Sequence, residues 1–167
     1  MLDADQLTGR SSSHVREFQF SDDSFFCAHP EAALAFRRMR EAAAHLVGTH
    51  DFTSFRAVQC QAKSPVKTVH HLEVIEHGRF IIIDVRANAF LHHMVRNFAG
   101  VLMTIGAGER EPGWVAEVLA ARDRRAGGVT AHPYGLYLVQ VEYPPEFELP
   151  QRYLGPHFLS ALPQSFG

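Results

Sequence analysis

Two cysteines, Cys27 and Cys60, are all that the 167 residues contain, and neither stands in a Cys-x-x-Cys pair or at zinc-ligand spacing. That excludes a disulfide-stapled scaffold and a zinc ribbon, and the pair reads as reduced thiols. Long apolar runs are missing as well. The most apolar stretch, Asn88 to Gly106, is broken by His92, His93, Arg96 and Asn97, whereas a membrane span needs about 20 clean apolar residues. The N-terminus carries Asp3 and Asp5 with no basic-then-apolar run, so no secretory signal is read, and a cytoplasmic protein without a membrane partner is expected. Nor does one sign of charge dominate. Sixteen Lys and Arg against eighteen Asp and Glu leave a formal charge of −2, which lacks the basic excess usual in nucleic-acid-binding domains. Finally, no GxSxG, P-loop, GxGxxG or HExxH occurs, so spacing alone names no reaction.

What the chain does have is apolar residues, 46% of the total, which rules out a disordered chain and suffices for one core. Residues 1–29, with Ser11-Ser12-Ser13, Asp22-Asp23 and several phenylalanines, read as an irregular segment. A helix is expected from Pro30, where proline suits a first helical position, through Leu34, Met39, Ala42, Ala43 and Leu46 until Gly48 stops it. Residues 67–76 and 79–86 are rich in β-branched side chains and read as a hairpin turning at His77-Gly78. In its second strand Ile81, Ile83 and Val85 share one face, with Phe80, Ile82, Asp84 and Arg86 on the other, so the sheet is expected to be covered mainly on one side. A buried helix over 89–105, a third helix from Glu111-Pro112 to Arg122, and a last strand from Gly135 to Tyr143 complete the pattern. The order implies an α+β domain over 30–150, with helices on one face of a mostly antiparallel sheet, and a proline-containing tail over 151–167.

Charge is unevenly spread: residues 1–50 sum to −2, residues 51–130 to +2 and residues 131–167 to −2. The basic middle holds the Gln59–Lys67 loop, with Lys63 and Lys67 and no acid, and a cluster of Arg122, Arg124 and Arg125. Such runs are usually a solvated face. Arg96 is more informative, because on a helix it has Ala89, His92, His93, Ala99, Gly100 and Met103 around it and no carboxylate within a turn. A guanidinium there needs a partner from elsewhere, either a structural one such as Asp84 or a site anion. The eleven histidines include the neighbours His70-His71 and His92-His93, which point apart on a strand and on a helix respectively, so no metal site is expected. Cys60 shows no local context that would activate its thiol.

Four blocks carry a resemblance: His50-Asp51-Phe52-Thr53-Ser54-Phe55-Arg56-Ala57, Cys60-Gln61-Ala62-Lys63-Ser64-Pro65, Ala87-Asn88-Ala89-Phe90-Leu91-His92-His93-Met94-Val95-Arg96-Asn97, and Gly135-Leu136-Tyr137-Leu138. Together with the Trp114 helix and Asp123-Arg124, they make the stretch from Met39 to Pro150 resemble the C-terminal lobe of the TruA family of tRNA pseudouridine synthases. The resemblance implies a pseudouridine-synthase-like fold and a cofactor-free isomerisation of uridine to pseudouridine in the tRNA anticodon stem-loop. It implies a homodimer, and a catalytic aspartate in an N-terminal lobe within a Gly-Arg-Thr-Asp-type motif. That lobe reads as missing here, since the nearest echo, Gly9-Arg10-Ser11-Ser12, has serine where the acid belongs, and a hydroxyl cannot replace the carboxylate. Carried over by position, Arg96 matches the arginine that pairs with the aspartate, and Leu136 the apolar wall at the target base. Arg56, Lys63, Ser64, Lys67, His92 and His93 are assigned to RNA contact. Lys67 stands where the common form has arginine, and so keeps the charge without the bidentate fork. His132-Pro133-Tyr134 departs from the usual small residues before Gly-Leu-Tyr-Leu. The chain by itself is then expected to be inactive. The alternatives are a non-catalytic RNA-binding or dimerising domain and a purely structural domain in which Arg96 pairs with Asp84.

Overall fold

The computed structural model describes the backbone of residues 12–20, 30–77, 80–143 and 147–148, with side chains over 33–76, 80–143 and 147–148. Eight regular elements follow one another: β1 (Ser12–Phe20), α1 (Pro30–Ala44), β2 (Gly48–Asp51), β3 (Val66–His77), β4 (Phe80–Ala87), α2 (Met94–Gly106), α3 (Trp114–Ala121) and β5 (Leu136–Glu142). Short 3₁₀ turns lie at Thr53–Phe55 and Arg124–Ala126. The strands form one sheet in the order β2-β3-β4-β1-β5, every neighbouring pair antiparallel. This is the expected α+β architecture.

The long elements form where local chemistry favours them. In α1, Ala35, Met39, Ala42 and Ala43 recur at helical spacing and are buried, while Leu34 faces solvent. Gly48 adopts a φ of 113°, a conformation open to glycine at little cost, and so turns the chain from α1 directly into β2. The hairpin β3–β4 sets Leu72 opposite Val85 and Val74 opposite Ile83. One irregularity, between Val69 and His71, inserts an extra residue. Strict alternation would send Val69 and Leu72, three apart, to opposite faces; the bulge lets both enter the core.

The core lies between the sheet and the helices. Ile81, Ile83, Val85 and Ala87 of β4 meet Met39, Leu46, Phe98, Leu102 and Ile105 there. Phe52, Phe55 and Phe98 are fully buried, with ring centroids 5.0–6.1 Å apart, an arrangement that adds about 0.5–1.5 kcal/mol per pair beyond area burial.

Three expectations need correction. Ser12–Phe20, inside the segment read as irregular, is a strand lying between β4 and β5, because a partner strand, not local pattern, decides pairing. The reverse face of the sheet is covered as well, at least at Ile82 and Asp84, which are both inaccessible to solvent. The helix read as starting at Ala89 starts at Met94: the six preceding residues are drawn off as a turn, in which Asn88 Oδ1 accepts from Thr68 N and Ala57 N donates to His92 O. Beyond these, residues 48–51, to which the sequence assigned no element, pair with β3. The hairpin turn at Gly78 and the tail over 151–167 lie outside the described residues.

Candidate functional site

Helix α2 presents Arg96 half-buried at the edge of the core. Its Nε donates to Ala131 O at 2.8 Å and its own carbonyl accepts from Ala131 N at 3.1 Å, so residue and loop are clamped reciprocally. One turn further along, Gly100 lets the loop come that close: a Cβ there would stand 1.8 Å from Val129 O. The terminal guanidinium nitrogens of Arg96 make no hydrogen bond or salt bridge among the described residues. Asp84 is not their partner. It alternates with Ile83 and Val85, which face the helices, and therefore points to the opposite side of the sheet from α2.

His93 enters α2 in a left-handed conformation with φ 63°. Because it precedes the helix, the two imidazoles do not diverge by a helical step; the rings of His92 and His93 lie 4.0 Å apart at 33°. Burial holds the His93 pKa below its ordinary value, and His92, Arg96 and Arg124 lower it further, so the ring is kept neutral amid positive charge.

Behind this edge runs a polar network that sequence reasoning assigned to no role. Asn97 is buried; its Nδ2 donates to Phe55 O at 2.7 Å, and its Oδ1 accepts from Arg124 Nη2 at 3.1 Å and from Thr130 Oγ1 at 2.7 Å. Arg124 also donates to the carbonyls of Gly127 and Gly128 and to Thr130 Oγ1. Buried Ser54 accepts from Asp123 N at 2.9 Å. The signal available was Asn97 itself, an amide on an apolar helix, which must be satisfied if buried.

The RNA-contact candidates separate into two places. Arg56 donates through Nη2 to Cys60 O at 3.0 Å, and Ala57 N ties this loop to His92 O. Burial opposes ionisation of Cys60, but the backbone N–H groups of Ala62 and His92 and the charges of Arg56 and Lys67 outweigh it and lower the thiol pKa. The Cys60 pKa is thus lowered where no activating context was expected, by Arg56 four residues before it and Lys67 seven after it, together with the N–H groups of Ala62 and His92. Lys67 is 8% exposed, a charge held beneath the surface. Lys63 and Ser64 are exposed, and Ser64 Oγ accepts from Val66 N at 3.2 Å. Leu136 begins β5, half-buried against the core, with Tyr137 and Leu138 beside it on the surface. The six-residue run from Ala131 to Leu136 connects it to the Arg96 clamp.

Asp51 caps the first 3₁₀ turn: Oδ1 accepts from Thr53 Oγ1 at 2.6 Å and from Thr53 N at 2.9 Å. The Thr53 side-chain bond lowers its pKa most, and the Thr53 N–H, Arg122 and Arg56 lower it further against the effect of burial. Among the described residues, no group of three or more His, Cys, Asp or Glu is placed to hold a metal ion, and no helix is long and apolar enough to cross a membrane.

The family profile described as tRNA pseudouridine synthase matches residues 42–144. The tRNA pseudouridine synthase A of Pseudomonas aeruginosa is 80% identical over 130 residues, which are 78% of this chain and 46% of that protein. Those of Nitrosococcus oceani and Pectobacterium atrosepticum are 64% and 54% identical, over 71% and 79% of this chain and 46% of each relative. The chain spans about half the length of the curated relatives it matches.

Proposed function

The chain belongs to the tRNA pseudouridine synthase family, and on that premise we propose that it is the half of such an isomerase that orients the catalytic carboxylate and walls the target base. The observation that carries this reading is Arg96, a half-buried guanidinium whose Nε is fixed by Ala131 O while its terminal nitrogens have no partner among the described residues. A cation so placed favours an anion arriving from outside. In the proposed enzyme that anion is the aspartate of the family's Gly-Arg-Thr-Asp-type motif, a motif absent from these 167 residues. Pairing with Arg96 keeps the carboxylate ionised and aimed, while Leu136 excludes water from a uridine flipped out of the anticodon stem-loop.

The chain alone therefore forms no pseudouridine, acts in the cytoplasm as part of a homodimer, and needs no cofactor. Arg56, Lys63 and Ser64 reach RNA from the loop side, and His92 and His93 from the entry to α2. Lys67 reinforces this field from beneath.

The test is tritium release from unmodified tRNA transcript labelled at uridine C5. The chain alone should give none; adding an aspartate-bearing N-terminal lobe from a relative should restore turnover, and Arg96→Ala should abolish the restored activity. Turnover by the chain alone would show that an internal carboxylate suffices. Failure to complement, with tRNA still bound, would favour a non-catalytic RNA-binding module.

A further inference from the structure

A second basic feature stands apart from Arg96 and Leu136. The 3₁₀ turn at Thr53–Phe55 and the segment after α3 enclose a groove of about 520 Å³, lined by Thr53, Arg56, Arg122, Asp123, Arg124 and Arg125 among others. Four arginines line it with the carboxylate of Asp123, and Asp51 lies beside Arg122, a local charge of +2 in a chain whose total is −2. Arg124 is committed to the network around Asn97 and acts as the anchor. Asp123 is occupied by Arg125, whose Nε and Nη2 reach its two oxygens at 2.6–3.1 Å. That leaves donors. Among the described residues, Arg125 retains Nη1, Arg56 donates through Nη2 alone, to Cys60 O, and the Arg122 side chain, 70% exposed, has Asp51 as its ion-pair partner, at 3.6 Å from Nε. Arg122 is itself held in a left-handed conformation, φ 47°, at the point where α3 ends.

We propose that this groove is an additional RNA-contact site that takes two successive backbone phosphates, one on Arg122 and one on Arg125. The inference rests on the RNA-binding reading above and extends it to residues outside the Arg96 edge. Guanidinium forks suit phosphate oxygens, a concave surface of one sign concentrates counter-charge, and no base-reading geometry is required for contacts that position the RNA. Asp123 tunes the site: by holding Arg125 it withdraws part of the available charge.

The test measures tRNA affinity against chloride concentration for the full chain, Arg122→Gln/Arg125→Gln and Asp123→Asn, with melting curves confirming that each is folded. Each phosphate contact contributes roughly 0.7–0.9 to the slope of log K against log salt, so the double variant should lose about 1.4–1.8 of slope and bind more weakly. Asp123→Asn, which releases Arg125, should bind more tightly with a steeper slope. If the parent chain shows salt-dependent binding and the double variant keeps its slope and affinity, the groove carries no phosphates, and the RNA reading survives without it. If the parent shows no salt-dependent tRNA binding, the RNA reading fails, and this inference with it. If inorganic phosphate competes at millimolar levels while tRNA affinity is unchanged in the double variant, the groove is a small-anion site and the proposal is overturned.

Discussion

Replacing Gly100 by alanine separates two effects of opposite sign. In an unconstrained helix interior the change stabilises by about 1 kcal/mol, because alanine has less backbone entropy to lose. Here the added Cβ would stand 1.8 Å from Val129 O, 3.0 Å from Val129 C and 3.4 Å from Ala131 N. Ordinary contact begins near 3.4 Å, so the carbonyl must retreat by about 1.6 Å. The Arg96–Ala131 bonds of 2.8 and 3.1 Å cannot survive a shift of that size. Overpacking costs about 1–3 kcal/mol, and a neutral and a charge-assisted hydrogen bond are worth about 1 and 2 kcal/mol. Against the helix gain, the net expectation is a loss of about 3–5 kcal/mol, or a fall in melting temperature of roughly 6–20 °C for a chain of this size. Gly113→Ala is the matched control, since nothing lies within 4 Å of its Cβ position, and it should shift stability by less than about 1 kcal/mol. Urea titration with unchanged m-value reads the difference directly. A Gly100→Ala chain as stable as the parent, or more so, would refute the claim that backbone approach at this turn builds the Arg96 clamp.

Other expectations follow from the polar groups. Asn97→Ala should cost about 3 kcal/mol in denaturant, because it strands Phe55 O and a hydrogen bond of charged Arg124 together. In Arg125→Gln, the Asp123 carboxyl, held at about 2 chiefly by its side-chain bonds to Arg125, should titrate nearer 3.8 by carbon-detected NMR; an unmoved value would show that the pair is not its cause. Asp51 has a lowered pKa in the fold, so its contribution to stability is present above the unfolded value and lost as pH falls through the folded one. Thr53→Val, which removes the largest cause of that shift, should therefore lower stability at neutral pH and flatten the acid limb of the stability profile, while leaving its slope at neutral pH unchanged. Cys60 should alkylate with iodoacetamide at a pH below that of a free thiol, and Lys67→Met, by removing one of the charges that lower its pKa, should move that profile upward; coincident profiles would assign the shift elsewhere.

The elements legible from sequence are those whose pattern is local. Alanine-rich α1 with its opening proline, the β-branched hairpin and the apolar α2 each carry a periodicity that only one backbone can bury. The four blocks likewise marked Arg96 and Leu136 by position. Less legible was whatever depends on a partner distant in the chain. β1 is a strand because β4 and β5 lie on either side of it, and α2 starts late because Thr68 and Ala57 hold the turn before it. Arg96 illustrates the division. Its lack of a carboxylate within a helical turn was readable at once; that Asp84 lies across the sheet from it, that Ala131 clamps it, and that Gly100 admits Ala131 were not.

Composition and spacing thus determined the kind of fold, the basic middle of the chain and the residues worth watching, because helix and strand periods and turn chemistry act over a few residues. The lowered pKa of Cys60, the arginine groove and the Asn97 network were decided by tertiary structure. Electrostatics and hydrogen bonding act through space over a few ångströms, and only folding brings residues 54–56, 97 and 122–130 within that range.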